Sequence, residues 1–91
     1  MSNVLESAVE YYGKYSRIDL TFEEMAELTK ELSKNCRGAD NIDGIAEEIA
    51  DVQIMLDQLK IVFNCSREVD LWRGYKIERL RQNLTKAGVR L

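Results

Sequence analysis

The chain has 91 residues, enough for one domain over residues 1–91, and its formal net charge is −3 with no histidine. The absence of histidine excludes Ser-His, Cys-His and His-metal chemistry, and the acidic balance argues against broad nucleic-acid binding. No apolar run approaches the ~18 residues that cross a bilayer, and the first residues lack the features of a signal peptide. Because Cys36 and Cys65 stand apart without a CxxC motif, we expect reduced thiols and a cytoplasmic protein.

Hydrophobic periodicity predicts helices throughout the first half of the chain. Apolar residues at helical spacing in "NVLESAVEYYGKY" predict a first helix over residues 3–15, and "SRIDL" is expected to connect it to the second. The second helix is predicted to begin at Thr21, because "TFEE" has the capping-box pattern of a threonine followed three positions later by a glutamate, Glu24. It is predicted to end at about Cys36.

Two more helices are predicted in the second half of the chain. The segment "RGADNIDG" is rich in turn residues, and a third helix follows from about Asp43, its expected cap, to Phe63. After a break over residues 64–66, Ser66 is expected to cap a fourth helix, which reads "REVDLWRGYKIERLRQNL" and frays near Gly88. No segment alternates with period two for long enough to argue a strand. We therefore expect an all-α fold, most simply a four-helix bundle with short loops.

The second and third predicted helices each carry a dense group of acids. The stretch "EEMAELTKE" contains Glu23, Glu24, Glu27 and Glu31, and "EEIAD" contains Glu47, Glu48 and Asp51. At about 100° per residue, each acidic arc lies directly beside an apolar arc, on the same hand in both helices. The apolar arcs, which we expect to form the core, are Met25, Leu28, Leu32 and Cys36 on the second helix and Ile45, Ile49, Val52, Leu56, Leu59 and Phe63 on the third.

The short turn between these two helices predicts that they pack antiparallel, with the acidic groups offset by about 6 Å along the axis. Carboxylates that converge beside a core cannot all stay ionised unless protons or cations neutralise them. Oxygen ligands without His or Cys favour hard cations, Mg²⁺ or Mn²⁺. The alternative interpretation is a solvated acidic face, with Glu24 serving only as the capping partner of Thr21.

The two acidic motifs resemble a known signature. "EEMAEL", followed twenty residues after Glu27 by "EEIAD", is similar to the EExxE…ExxD pattern of the MazG-like all-α nucleotide pyrophosphohydrolases, and the resemblance covers roughly residues 8–84. It implies four-helix subunits that assemble as dimers or tetramers. It also implies Mg²⁺-dependent hydrolysis of a nucleoside triphosphate, deoxy or non-canonical, to the monophosphate and pyrophosphate, with Mn²⁺ as a substitute ion.

The resemblance also implies roles for individual acids. The metal ligands expected by position in ExxE and ExxD are Glu24, Glu27, Glu48 and Asp51. Glu23 and Glu47 match the less strict first positions of the two motifs, where they could bind a further ion or position water. One of Glu23, Glu24 and Glu47 is expected to accept the proton of a metal-activated water, because the chain has no histidine to act as base.

The predicted fourth helix has a basic and polar arc beside an apolar arc. Lys76, Arg79 and Asn83 share the polar arc, and Lys76 is close to a position where the family carries a lysine that contacts phosphate. Leu80 stands where many members have Asn. We expect Lys76, Arg79 and Asn83 to bind substrate; the alternative is a soluble surface that pairs with Glu78 and its neighbours.

A second apolar cluster on the third helix predicts a subunit interface. Ala50, Ile54 and Ile61 lie opposite its main apolar arc, and a helix that is apolar on two sides is buried on two sides. We expect a homodimer or homotetramer whose interface could complete the active site, with no membrane or nucleic-acid partner. The competing interpretation is a non-catalytic helical interaction module that keeps the fold.

Overall fold

The structure, a computed structural model, describes residues 3–91, which form four helices joined by short turns. The helices are α1 (Val4–Tyr12), α2 (Lys14–Cys36), α3 (Ile42–Val62) and α4 (Ser66–Lys86). The prediction of an all-helical chain is confirmed, with no strand anywhere in residues 3–91. Within the same residues, no helix is both long and apolar enough to cross a membrane.

Gly13 separates α1 from α2. Its φ of 88° lies in a region that glycine adopts without steric cost, and its N–H donates to the carbonyl of Val9 at 2.9 Å. At the other end of α1, the side chain of Asn3 accepts a hydrogen bond from the N–H of Glu6 at 2.8 Å and so caps the helix. The prediction that the first helix continues to residue 15 is therefore wrong, because the chain turns at Gly13.

The second helix begins at Lys14, well before the predicted start at Thr21. Thr21 is buried inside the helix, and its hydroxyl donates to the carbonyl of Arg17 one turn earlier, at 2.7 Å. The predicted capping box at Thr21 and the predicted connection over residues 16–20 are both wrong. This segment stays helical because it buries Arg17, which donates to Gln58 of α3 at 3.3 Å. Glu24 is consequently an interior helix residue and not a capping partner.

A tight turn joins α3 to α4. Asn64 has a left-handed φ of 49°, its N–H donates to the carbonyl of Ile61, and the N–H of Cys65 donates to the carbonyl of Lys60. These two bonds form a Schellman motif, which fixes the end of α3. The helix α4 begins immediately afterwards at Ser66, so that residue 65 takes the cap position and the prediction that Ser66 caps the helix is wrong.

The helices α2 and α3 form an antiparallel pair. Arg17 near the start of α2 bonds to Gln58 near the end of α3, whereas Glu31 near the end of α2 bonds to Asn41, which takes the cap position before α3 in place of the predicted Asp43. The helix α1 packs against both, and α4 contacts α3 alone. The four helices therefore do not close into a bundle within residues 3–91.

The interface between α2 and α3 is largely polar. Met55 is the one buried hydrophobic residue in the part of the chain that the structure describes, and it shares the interior with Arg17, Thr21 and Gln58. The prediction that the apolar arcs form a core within the chain is wrong, because α2 and α3 pack through their polar sides and leave much of the apolar arcs in solvent. The exposed members are Met25 (50%), Leu32 (47%), Ile49 (43%), Leu56 (47%), Phe63 (52%) and Cys36, and Ala50 and Ile54 of the second cluster are exposed as well.

Candidate metal centre

Three carboxylates meet between α2 and α3. Glu24 projects from α2, and Glu48 and Asp51 project from one face of α3, where a spacing of three residues makes them neighbours. One carboxylate oxygen from each residue lies within 4.8 Å of the other two. All three side chains are half-buried. The antiparallel pairing of the helices thus brings together the two acidic motifs that are far apart in sequence.

No basic side chain within residues 3–91 forms an ion pair with this cluster. Burial raises the pKa of Glu24, and the negative charges of Asp51, Glu48 and Glu27 raise it further. Burial likewise raises the pKa of Glu48, and Asp51 and Glu27 are the strongest of the charges that add to the effect. Within residues 3–91, one ion pair joins Lys34 to an acid of α2 outside the cluster, and the others lie within α3 and within α4. None of them includes an acid of the cluster, so none neutralises its charge.

One oxygen of the cluster has no partner at all. Oε2 of Glu48 is buried from solvent and accepts no hydrogen bond. A buried carboxylate oxygen without a partner is costly, and it is normally paired with a donor or coordinated to a metal. Three converging carboxylates, one of which has a buried oxygen without a partner, fit a hard divalent cation such as Mg²⁺, which is commonly held by one or two carboxylates and keeps several waters.

Glu27, the fourth predicted ligand, lies at the rim of this cluster. Its side chain is exposed, and its oxygens fall outside the group that shares the 4.8 Å limit. Its charge nevertheless contributes to the raised pKa of both Glu24 and Glu48, and it stands three residues from Glu24 on the same face of α2. A change of its side-chain rotamer would be needed for Glu27 to join the ligands, and its role as a ligand stays a prediction.

The two acids predicted to act in catalysis lie beside the cluster and face solvent. Glu47 is exposed on α3, and its charge contributes to the raised pKa of Glu48. Glu23 is exposed on α2, next to Glu24 in sequence. Both carboxylates are accessible to water, as a proton acceptor requires, and their catalytic role stays a prediction.

Glu31, whose function the sequence left open, holds the turn between α2 and α3. Asn41 donates from Nδ2 to the carboxylate of Glu31 at 2.7 Å and to its backbone carbonyl at 2.9 Å, and Lys34 donates to the same carboxylate at 3.3 Å. These bonds lower the pKa of Glu31, so this carboxylate stays charged and engaged. Glu31 is therefore a structural residue that fixes the pairing of the two helices, one turn beyond the cluster.

The predicted substrate-binding residues lie on α4, away from the carboxylates. Lys76, Arg79 and Asn83 are exposed. The ammonium group of Lys76 lies 5.8 Å from the ring centre of Trp72, and the guanidinium of Arg79 lies 6.0 Å from that of Tyr75. Because α4 contacts α3 alone, a single chain does not bring these side chains to Glu24 on α2.

A buried polar layer next to the cluster was missed by the sequence reasoning. Arg17 stacks over the ring of Tyr12 with its guanidinium carbon 4.2 Å from the ring centre, and it donates to Gln58 and Ser16. Its Nε atom is buried without a partner. The signal was present in the spacing, because Arg17, Thr21 and Glu24 follow one another at four and three residues and so share one helix face. The incorrect helix start at Thr21 concealed it.

Comparison with known proteins gives no match. No protein-family model matches the chain, and neither a curated protein nor a solved structure does so.

Proposed function

We propose that the chain is a Mg²⁺-dependent nucleoside triphosphate pyrophosphohydrolase, which converts a deoxynucleoside or non-canonical nucleoside triphosphate to the monophosphate and pyrophosphate. The observation that carries the proposal is the convergence of Glu24, Glu48 and Asp51 from two helices within 4.8 Å. In a solvated acidic face the carboxylates point outward into water, whereas these three are half-buried, face one another and pair with no basic side chain of residues 3–91. The resemblance to the MazG-like signature supports the choice of substrate and reaction.

Each residue of the cluster has a defined task in this proposal. Glu24, Glu48 and Asp51 hold Mg²⁺, for which Mn²⁺ can substitute, and the unpartnered Oε2 of Glu48 supplies a ready ligand. Glu27 at the rim is the next donor available. Mg²⁺ bound here supplies positive charge to the phosphate oxygens of the substrate and lowers the pKa of water. Because the triphosphate and the carboxylates are both negatively charged, the substrate would bind at the cluster only with the cation present. The carboxylates would thus determine where the triphosphate binds.

Proton transfer falls to the exposed acids at the edge of the cluster. Glu23 and Glu47 each precede a ligand residue in sequence and remain open to solvent. A carboxylate in such a position can accept a proton from the attacking water and return it to bulk solvent. Attack by this water on the α-phosphorus breaks the bond between the α-phosphorus and its bridging oxygen, and pyrophosphate leaves with that oxygen.

A panel of canonical and modified nucleoside triphosphates, incubated with the protein and Mg²⁺, tests the proposal by the release of pyrophosphate. Release is expected for at least one substrate and is expected to fall to background in Glu48→Gln. Asp19→Asn is the matched control, since it removes one negative charge from an exposed position on α2. No release from any triphosphate would contradict the proposal and favour a non-catalytic helical module, whereas release that survives Glu48→Gln would indicate a contaminating enzyme.

A further inference from the structure

The contacts between α2 and α3 recur every seven residues. They join three pairs of residues, one pair at each level: Glu31 with Gly44, Glu24 with Asp51, and Arg17 with Gln58. Seven residues make nearly two turns of an α-helix, so the three members on each helix lie on one side of it. We refer to this line of pairs as the polar seam, and the carboxylate cluster lies at its middle level.

The two ends of the polar seam are held differently. At one end the chain itself turns from α2 into α3, and Asn41 donates to the carboxylate of Glu31 at 2.7 Å. The other end lies seven residues before Glu24, about 10 Å along the helix axis, where no turn connects the two helices. There Arg17 donates to Oε1 of Gln58 at 3.3 Å, and no other side-chain hydrogen bond joins α2 to α3 at this end among residues 3–91. This single polar contact aligns the end of the helix pair that the turn does not reach.

Burial of Arg17 lowers the stability of the fold. Arg17 is 7% exposed, its two acceptors, Gln58 and Ser16, are neutral, and its Nε is buried without a partner. None of the ion pairs within the described residues includes it, and stacking on the ring of Tyr12 offsets only part of the cost of burial. Apolar side chains of similar volume are often as stable as a buried charge or more stable. Stability alone therefore does not account for this pair.

A hydrogen bond at this level supplies a property that apolar packing lacks, a defined register. Hydrophobic contact is non-directional, whereas a hydrogen bond accepts only a limited range of lengths and angles. In coiled coils, one buried polar residue in an otherwise apolar contact fixes the register of the helices. The register decides the metal centre, because a slip of one turn moves α2 by about 5.4 Å along α3 and takes Glu24 away from Asp51.

We propose that Arg17 and Gln58 are positioning residues for the metal centre. Their buried contact holds the free end of α2 against α3 in the register that brings Glu24 opposite Asp51. Neither side chain is a ligand, since each residue stands seven positions from the cluster on its own helix, about 10 Å along the axis. This role rests on the proposed function only through Mg²⁺ binding at the cluster, and it requires no turnover of a nucleotide.

Exchange of the polar pair for an apolar one separates positioning from stability. In the double variant Arg17→Met, Gln58→Met, the midpoint of urea unfolding without Mg²⁺ is expected to equal or exceed that of the wild type, because a buried unpaired charge is removed. The Mg²⁺ affinity of the folded variant, measured by calorimetry, is expected to fall by about 10–100-fold, the size found for residues that orient metal ligands. A contact that only stabilised the fold would instead lower the urea midpoint. Loss of a positive charge alone would strengthen Mg²⁺ binding, because less charge then repels the cation.

Two further variants are matched to this one. Lys30→Met, Gln53→Met removes the same charge and the same amide from exposed positions of the same two helices, and its Mg²⁺ affinity is expected to be at least that of the wild type. Gln58→Glu keeps an acceptor for Arg17 and adds an opposite charge, so that it is expected to keep the affinity as well. Unchanged affinity in the double variant Arg17→Met, Gln58→Met, or an equal loss in Gln58→Glu, would overturn the proposal. So would a double variant that has a lower urea midpoint or fails to fold, because the pair would then serve stability.

Pulsed EPR measures the register without any metal. Spin labels are attached at Asp19→Cys of α2 and Ala46→Cys of α3, in a Cys36→Ser, Cys65→Ser background. Both labelled positions are exposed, and the register of the polar seam separates them by about 15 Å along the axis. With the polar pair present, one narrow distance distribution is expected. With the two methionines, the distribution is expected to broaden or to shift by about 5 Å for each turn of slip, and the same narrow distribution in both chains would overturn the proposal.

Failure of the positioning role and failure of the proposed function give different results. A wild type that binds no Mg²⁺ would refute the metal centre and with it the proposed function, and the distance distributions would still decide whether the polar pair sets the register. A wild type that binds Mg²⁺ but releases no pyrophosphate would refute the hydrolysis alone. Calorimetry and the distance distributions would then decide the positioning role as before.

Discussion

We expect Mg²⁺ to stabilise the folded protein by binding at the carboxylate cluster. Glu24, Glu48 and Asp51 repel one another when no cation is bound, and an ion that binds only the folded chain stabilises it. At a Mg²⁺ concentration ten times its Kd, the gain is about 1.4 kcal/mol. For a domain of this size, that corresponds to a rise in Tm of about 6–11 °C.

Substitution of one ligand should remove most of this gain. Glu48→Gln takes away one of the three carboxylates. Substitution of residues that only support metal ligands already lowers metal affinity by about 10–100-fold. A loss of that size would limit the rise in Tm to about 3 °C at the same Mg²⁺ concentration. Without Mg²⁺ the variant should melt at a higher temperature than the wild type, because it has lost a carboxylate whose pKa is raised by burial and by the negative charges of its neighbours.

Differential scanning fluorimetry with matched ionic strength measures both effects. Sodium chloride replaces MgCl₂ in the reference samples, so that simple charge screening is subtracted. Asp19→Asn serves as the control, since Asp19 is exposed on α2 and the substitution removes the same charge. The reasoning is refuted if Glu48→Gln keeps the full Mg²⁺ response, or if Asp19→Asn loses it to the same extent.

Three further results are expected. Asn41→Ala should lower the free energy of unfolding by about 1–2 kcal/mol in urea titrations, because it removes the hydrogen bond at 2.9 Å to the backbone carbonyl of Glu31 and frees that carboxylate; an unchanged midpoint would show that the turn does not depend on this contact. Gly44→Ala should fail to gain the ~1 kcal/mol that alanine normally adds in a helix, because its Cβ would stand 2.9 Å from Oε2 of Glu31; a full gain would show that this carboxylate moves freely. The pKa values of Glu24 and Glu48 are raised in the folded state, so their contribution to stability without Mg²⁺ is present at low pH and is lost as the pH rises through those values. Mg²⁺ affinity measured by calorimetry should correspondingly weaken as the pH falls through the same raised values, and an affinity that is flat down to the ordinary carboxyl range would contradict the cluster.

The carboxylate cluster was predictable from the sequence because helical spacing determines which residues share a face. Glu48 and Asp51 had to be neighbours on α3, and a short turn had to bring α2 beside them. The spacing could not reveal which arc of each helix would face the other. The assumption that apolar arcs face inward failed here because α2 and α3 pack through a polar line that includes Arg17 and Gln58.

The start of α2 was mispredicted for a different physical reason. The local pattern at Thr21 favours a helix start, but the tertiary contact of Arg17 with α3 keeps the preceding residues helical. The break occurs instead at Gly13, the residue with the backbone freedom for a φ of 88°. The position of α4 was also beyond prediction from pattern alone, because the spacing that places apolar residues on one arc of a helix does not say what that arc packs against.

Hydrolysis in ¹⁸O-labelled water identifies the phosphorus atom that the attacking water reaches. The protein is incubated with Mg²⁺ and the triphosphate that gives the most pyrophosphate, and mass spectrometry determines which product carries the label. We expect one ¹⁸O in the nucleoside monophosphate and none in pyrophosphate, because in the proposed reaction water attacks the α-phosphorus of a triphosphate bound at Glu24, Glu48 and Asp51. Label in pyrophosphate or in free phosphate, or no turnover of any triphosphate, would contradict it.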